Sequence, residues 1–239
     1  MRMQSSSSSH AGASLALPGT FAAEQYQNLR LKVERLQQSR GVRVVAITSP
    51  GTNDGKTLTS INLAAALARG PGARVLLIDA DLRRPSVGSQ LGLADDGPGL
   101  ATAVGDADAR LPDIIRTVDG LHGLSVLPGS PVPGDVHEVL RSPRFDQLLQ
   151  EARGVYDFVV LDTPPLVPVC DAAVMSRVVD GLLVVVAAHE TTRKQLGEAL
   201  SLLDEQKTLG LVFNGDRPRT SKYDAYYKPA AGLKTGGYN

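Results

Sequence analysis

The chain has 239 residues, enough for one large α/β domain or a compact domain with short tails, and its 42% hydrophobic fraction supports a real core. Lys plus Arg and Asp plus Glu number 25 each, so no overall field points to nucleic acid or an anionic membrane as partner. One cysteine, Cys170, excludes an intramolecular disulfide or a cysteine-held cluster, the four histidines are too scattered for a metal site, and no apolar run reaches the ~18 residues of a membrane span.

Residues 1–19 are rich in Ser, Ala and Gly and read as a disordered arm. They lack the apolar stretch of a signal peptide, which points to the cytoplasm. Tyr26, Leu29, Val33 and Leu36 recur at spacings of three, four and three and predict a helix over 21–38 with one apolar face. Val42 to Thr48 is a short apolar β-type run, followed by a Gly-rich turn and a helix over 57–69. Further strands are expected at 74–78, 124–127, 158–161, 182–187 and 209–213, and helices at 143–152, 171–179 and 192–206. Residues 86–122 are rich in Gly and Asp and show no clear period. Continuous apolar strands alternating with helices predict an α/β fold, a mostly parallel central sheet flanked by helices on both faces. The folded domain is expected over 20–214, with a mobile, tyrosine-rich tail over 215–239.

Between the first strand and its helix lies Ser49-Pro50-Gly51-Thr52-Asn53-Asp54-Gly55-Lys56-Thr57. A glycine-rich turn that follows a strand and opens a helix presents backbone N–H groups to phosphates. Lys56 adds positive charge toward the β and γ oxygens, and Thr57 offers a hydroxyl to Mg²⁺. The usual pattern has glycine five places before Gly55, where this chain has Pro50. Gly51, Thr52, Asn53, Asp54, Gly55, Lys56, Thr57 and Leu58 are therefore the expected ATP-binding loop. Two more strands end in acids, Asp79 and Asp81 after Val75–Ile78, and Asp162 after Phe158–Leu161. Ligands of open parallel sheets bind outside the carboxyl ends of strands, so all three carboxylates are expected beside the loop. A lone aspartate there is often a helix cap, but three of them downstream of a phosphate loop suit metal or proton chemistry.

With these motifs placed, the chain resembles the bacterial tyrosine kinases of capsule and exopolysaccharide biosynthesis, relatives of the deviant-Walker partition and septum-site ATPases. The resemblance runs from about Glu24 onward, and its most specific part is Asp79-Ala80-Asp81-Leu82-Arg83-Arg84-Pro85. It implies an ATP- and Mg²⁺-dependent protein-tyrosine autokinase, with Lys56 at the phosphates and Thr57, Asp81 and Asp162 at the metal. Asp79 would be the base closest to the incoming tyrosine, assisted by Asp81, and Asn214 would touch the adenine. Partition-type ATPases carry a signature lysine where this chain has Gly51. Members often bear a Glu-x-x-Arg-x-x-Arg ridge for ring assembly; here it reads Glu24, Gln27 and Arg30, which makes Glu24 and Arg30 the expected oligomer interface. The resemblance also implies a membrane-embedded polysaccharide chain-length regulator as activator, recruiting the chain to the inner face of the plasma membrane. The alternative is a partition or positioning ATPase switch without kinase activity.

Four of the six tyrosines, Tyr223, Tyr226, Tyr227 and Tyr238, fall in the last 17 residues. They are the expected phosphoacceptors. Tyr223 is nine residues beyond Asn214, a reach of at most about 30 Å.

Overall fold

Apolar runs without polar interruption are satisfied only where both faces of a sheet are covered, and the structure meets that demand. It is a computed structural model that describes residues 15–216 except 95, 96, 131, 133, 168 and 170. The four tail tyrosines, Cys170 and most of the expected N-terminal arm lie outside the described residues. The described end of that arm lies on the folded body: Ala16 donates its N–H to Asn62 Oδ1 at 2.7 Å, and Leu15 packs against the core.

In chain order the elements are α1 (Phe21–Arg40), β1 (Val44–Thr48), α2 (Lys56–Ala68), β2 (Val75–Asp79), α3 (Val87–Gln90), α4 (Leu100–Gly105), α5 (Leu111–Ile114), β3 (Arg116–Thr117) and β4 (Leu124–Leu127). They continue with α6 (Val136–Arg141), α7 (Pro143–Val155), β5 (Phe158–Asp162), α8 (Asp171–Met175), β6 (Gly181–Ala187), α9 (Arg193–Ser201), a 3₁₀ turn (Glu205–Lys207) and β7 (Thr208–Asn214). The strands lie in the order β3-β4-β2-β5-β1-β6-β7, and every pairing is parallel except β3 with β4.

Every residue of β1, β2, β5 and β6 is buried. Alternate side chains feed two cores. Val45, Ile47, Leu77, Val160 and Val185 meet α1 and α2 through Val33, Ile61 and Ala64. Ala46, Ile78, Leu161 and Leu182 meet α4, α6 and α7 through Ala103, Leu140 and Phe145. Each such large apolar side chain contributes about 1.5–3 kcal/mol on burial.

Several boundaries differ from the sequence expectation. α8 stops at Met175 rather than 179, because the chain turns early to enter β6 and Lys207 Nζ donates to the carbonyls of Ser176 (2.6 Å) and Val179 (3.0 Å). α9 stops at Ser201, and Asp204 then caps a separate 3₁₀ turn by accepting from Gln206 N–H. β1 begins at Val44; Val42 is buried but lies ahead of the strand.

Candidate active site

Three strand ends converge at the carboxyl edge of the sheet. β1 runs into the phosphate loop, where Asn53 (φ 65°) and Gly55 (φ 90°) take left-handed backbone. Position 55 requires glycine twice over, since a Cβ there would also collide with the Asn214 side-chain amide. The loop is braced from behind. Asp54 Oδ2 accepts from Gly51 N–H (2.8 Å), its Oδ1 accepts from the Thr191 hydroxyl (3.0 Å), and its carbonyl accepts from Asn214 Nδ2 (3.1 Å).

Asp79 and Asp162 are register partners on β2 and β5, and both are fully buried. Asp162 accepts from Thr57 Oγ1 (2.7 Å) and Ser60 Oγ (2.9 Å). Asp79 accepts from three backbone N–H groups, those of Asp81 (3.2 Å), Ser86 (2.8 Å) and Val87 (2.9 Å). Burial pushes Asp79 up to about 6 despite the Val87 and Ser86 donors, with the Asp81 charge adding to the rise. Burial and then the neighbouring Asp79 charge push Asp162 up to about 7, against the pull of Thr57, Lys56 and Ser60. Asp81 stands forward of this pair: its Oδ2 lies 3.6 Å from Lys56 Nζ and its Oδ1 accepts from Arg84 N–H (3.1 Å).

These groups open on a cleft of about 590 Å³. Of the expected loop residues, Thr52, Asn53, Gly55, Lys56, Thr57 and Leu58 line it, and so does Asp81. Gly51 and Asp54 do not; the Asp54 carboxylate is turned onto Gly51 and Thr191 instead. Asp79 and Asp162 sit beneath the floor, and Asn214 sits on the back of the loop. Glu24 is exposed, whereas Arg30 is folded onto its own body, with Nε on Glu34 (2.7 Å) and Nη1 on the Ala66 carbonyl (3.3 Å).

Sequence reasoning missed four contributors. Ser60 lies one helical turn after Thr57, so its role was readable from spacing. Ser86 donates from its hydroxyl to Thr57 Oγ1 (3.2 Å). Arg83 lines the cleft and is held by Asp171, which is fully buried. No local signal links those two.

Among the described residues no three His, Cys, Asp or Glu side chains are grouped to hold a metal by themselves. The donors present, the Thr57 hydroxyl with Asp81 and Asp162, are hard oxygens beside a phosphate loop. That set fits Mg²⁺, which takes one or two carboxylates and completes its shell with water and phosphate.

A family profile described as an AAA domain matches residues 42–208. Tyrosine-protein kinase YwqD of Bacillus subtilis (strain 168) is 35% identical over 211 residues, 87% of this chain and 86% of that protein. Succinoglycan biosynthesis transport protein ExoP of Rhizobium meliloti (strain 1021) is 33% identical over 215 residues, 87% of this chain. The chain spans only 27% of that longer relative. Among solved structures, the kinase domain of Escherichia coli tyrosine kinase ETK matches with a TM-score of 0.77 at 30% identity, covering 91% of this chain and 80% of that one. With its phosphate loop, its Asp79-Ala80-Asp81 strand end and these relatives, the chain belongs to the bacterial tyrosine-protein kinases, P-loop enzymes of the AAA-domain family.

Proposed function

We propose that this kinase uses Mg·ATP to phosphorylate its own C-terminal cluster, Tyr223, Tyr226, Tyr227 and Tyr238, and that this modification regulates polysaccharide synthesis or export. The observation that carries the reading is the position of Asn214. It ends β7 and donates to the phosphate loop, so the chain leaves the fold on the reaction side. Loop N–H groups and Lys56 would hold the phosphates, Thr57, Asp81 and Asp162 would hold the cation, and Asn214 would touch the adenine. Bound Mg²⁺ would neutralise charge on the transferring phosphoryl group.

The acceptor phenol has an ordinary pKa near 10 and must shed its proton as it attacks. Asp79, raised to about 6, is matched to that task at neutral pH. Its three N–H donors fill about three of four acceptor positions and leave one for the proton. Asp81 lines the cleft whereas Asp79 is buried and does not, so the proton would reach Asp79 by way of Asp81 or one water.

No helix among the described residues is long and apolar enough to cross a membrane. We place the kinase at the inner face of the plasma membrane through an embedded chain-length regulator that activates it, and assign self-assembly to the flank bearing Glu24, with Arg30 shaping the helix against α2.

Incubating full chain with Mg·ATP, with and without the regulator's cytoplasmic segment, and reading intact mass tests this. Wild type should gain up to four phosphates, and replacing the four tail tyrosines together by Phe should remove nearly all of them while ATP binding persists. Lys56→Ala should slow transfer by about 10²- to 10³-fold in a folded protein. Sustained ATP turnover without phosphotyrosine would instead favour the positioning-ATPase alternative.

A further inference from the structure

Asp171 is the first residue of α8 and is fully buried, yet its carboxylate engages two other parts of the chain. Arg83 grips it with both arms of the guanidinium, Nε at 2.6 Å from Oδ2 and Nη2 at 3.2 Å from Oδ1. His137 on α6 places Nδ1 3.3 Å from Oδ1. A charge removed from water persists only when it is paired and fully hydrogen-bonded, and this geometry provides both.

Arg83 lines the cleft, and Asp171 lies buried behind it. Arg83 belongs to the turn between β2 and α3, which also carries Asp81 and Arg84. Asp171 follows β5 in the chain, after Pro164, Pro165 and Val169, which also line the cleft. The β2–α3 turn is fastened at its two ends by Asp79, through Asp81 N–H at one and Ser86 and Val87 N–H at the other. Between those points Leu82 packs into the core, and Arg83, two residues from the carboxylate that faces Lys56, adds a directional ion pair to another element.

We infer that Asp171 is a positioning residue of the kinase: acting through Arg83, it staples the β2–α3 turn to the post-β5 segment and so fixes Asp81 toward Lys56 and the cation position. The inference rests on the proposed Mg·nucleotide site at Asp81, but not on phosphorylation of the tail. A plain helix cap at Asp171 would change stability alone.

The test uses the full chain with Asp171→Asn, Arg83→Ala and the double variant, and a fluorescent N-methylanthraniloyl-ADP probe titrated with and without Mg²⁺. Without the cation, affinity should stay within about twofold of wild type, because the loop N–H groups and Lys56 are untouched. The Mg²⁺ concentration that tightens the probe should rise about 10- to 100-fold, the range for groups that orient metal ligands, and the rate of tail phosphorylation should fall in parallel. The double variant should be no worse than the poorer single one, since both break one contact. If Asp171→Asn does not fold, Arg83→Lys keeps the charge while losing the two-point grip and should give the same shift. Wild-type Mg²⁺ dependence in a folded Asp171 or Arg83 variant overturns the inference, and so do single effects that multiply. Absence of phosphotyrosine from the wild type would count against the autokinase reading, while the probe titration still decides the staple.

Discussion

At the amino edge of the sheet, Asp157 accepts from Arg74 N–H at 2.8 Å, and Asp180 accepts from the N–H groups of Arg43 and Val44 at 2.8 Å each. Arg153 adds its guanidinium to both Asp180 oxygens, at 3.0 and 2.8 Å. The Arg74 backbone donor holds Asp157 below the usual carboxylate range. At Asp180 burial works in the other direction, but Arg153 and the two backbone donors outweigh it, and the pKa is lowered. At the carboxyl edge, Asp79 and Asp162 are pushed up to about 6 and about 7. One residue type, at two ends of the same strands, is thus set to opposite purposes. Where donors and an arginine surround it, aspartate pins strand entrances together. Where it is buried beside another carboxylate, its charge is disfavoured and the group is kept ready to hold a proton.

That contrast fixes the sign of two pH effects. The raised pair contributes stability that is fully present below the unfolded value of 3.8 and is lost as pH rises through about 6 and 7. The lowered pair contributes stability present above 3.8 and lost as pH falls through its folded values.

The largest effect is expected at Asp162. Metal-free wild type should lose on the order of 2 kcal/mol from this group between pH 5 and 8, and Asp162→Asn should flatten that slope while abolishing Mg²⁺-dependent transfer. Urea denaturation across the pH series checks this; equal slopes in the two proteins would erase the contrast between the edges. Asp180→Ala should cost about 1–3 kcal/mol at pH 7 by stranding the Arg43 and Val44 donors and Arg153, with catalysis per folded molecule unchanged. Its deficit should shrink in acid, and a deficit independent of pH would assign it to lost packing. Asp157→Asn should be the mildest, at most about 1 kcal/mol, because its Arg74 partner is 60% exposed and the pair is screened. A larger loss by thermal unfolding would show that this entrance matters as much as that at Asp180.

The parts of the site that share a short stretch of chain were legible. The phosphate loop, Asp79 with Asp81, and Asp162 each announce themselves as a strand running into polar residues, and the topology then brings them together. Asp171 and Arg83 are 88 residues apart, and only the folded packing of α8 against the β2–α3 turn joins them. Asp54 misled for the opposite reason: a place within the loop suggested phosphate contact, but a carboxylate beside phosphates would repel them, and it points instead to Gly51 and Thr191. Residues 86–122 showed no period because their elements are two to six residues long, shorter than any window in which a helical repeat can register. The hydrophobic alternation behind the two cores was hidden as well, since strands covered on both faces read as unbroken apolar runs.

The seat of Asn214 on the phosphate loop has a consequence for concentration. On the proposed autokinase reading, Tyr223, nine residues beyond that anchor, would be confined to a sphere of about 30 Å radius whatever path the chain takes, a local concentration on the order of 10 mM. A phenol delivered at that level would need little affinity of its own for the cleft. The demand on the protein shifts from recognising a peptide to holding phosphates and cation still, and the side-chain anchors around the β2–α3 turn are disposed for that demand.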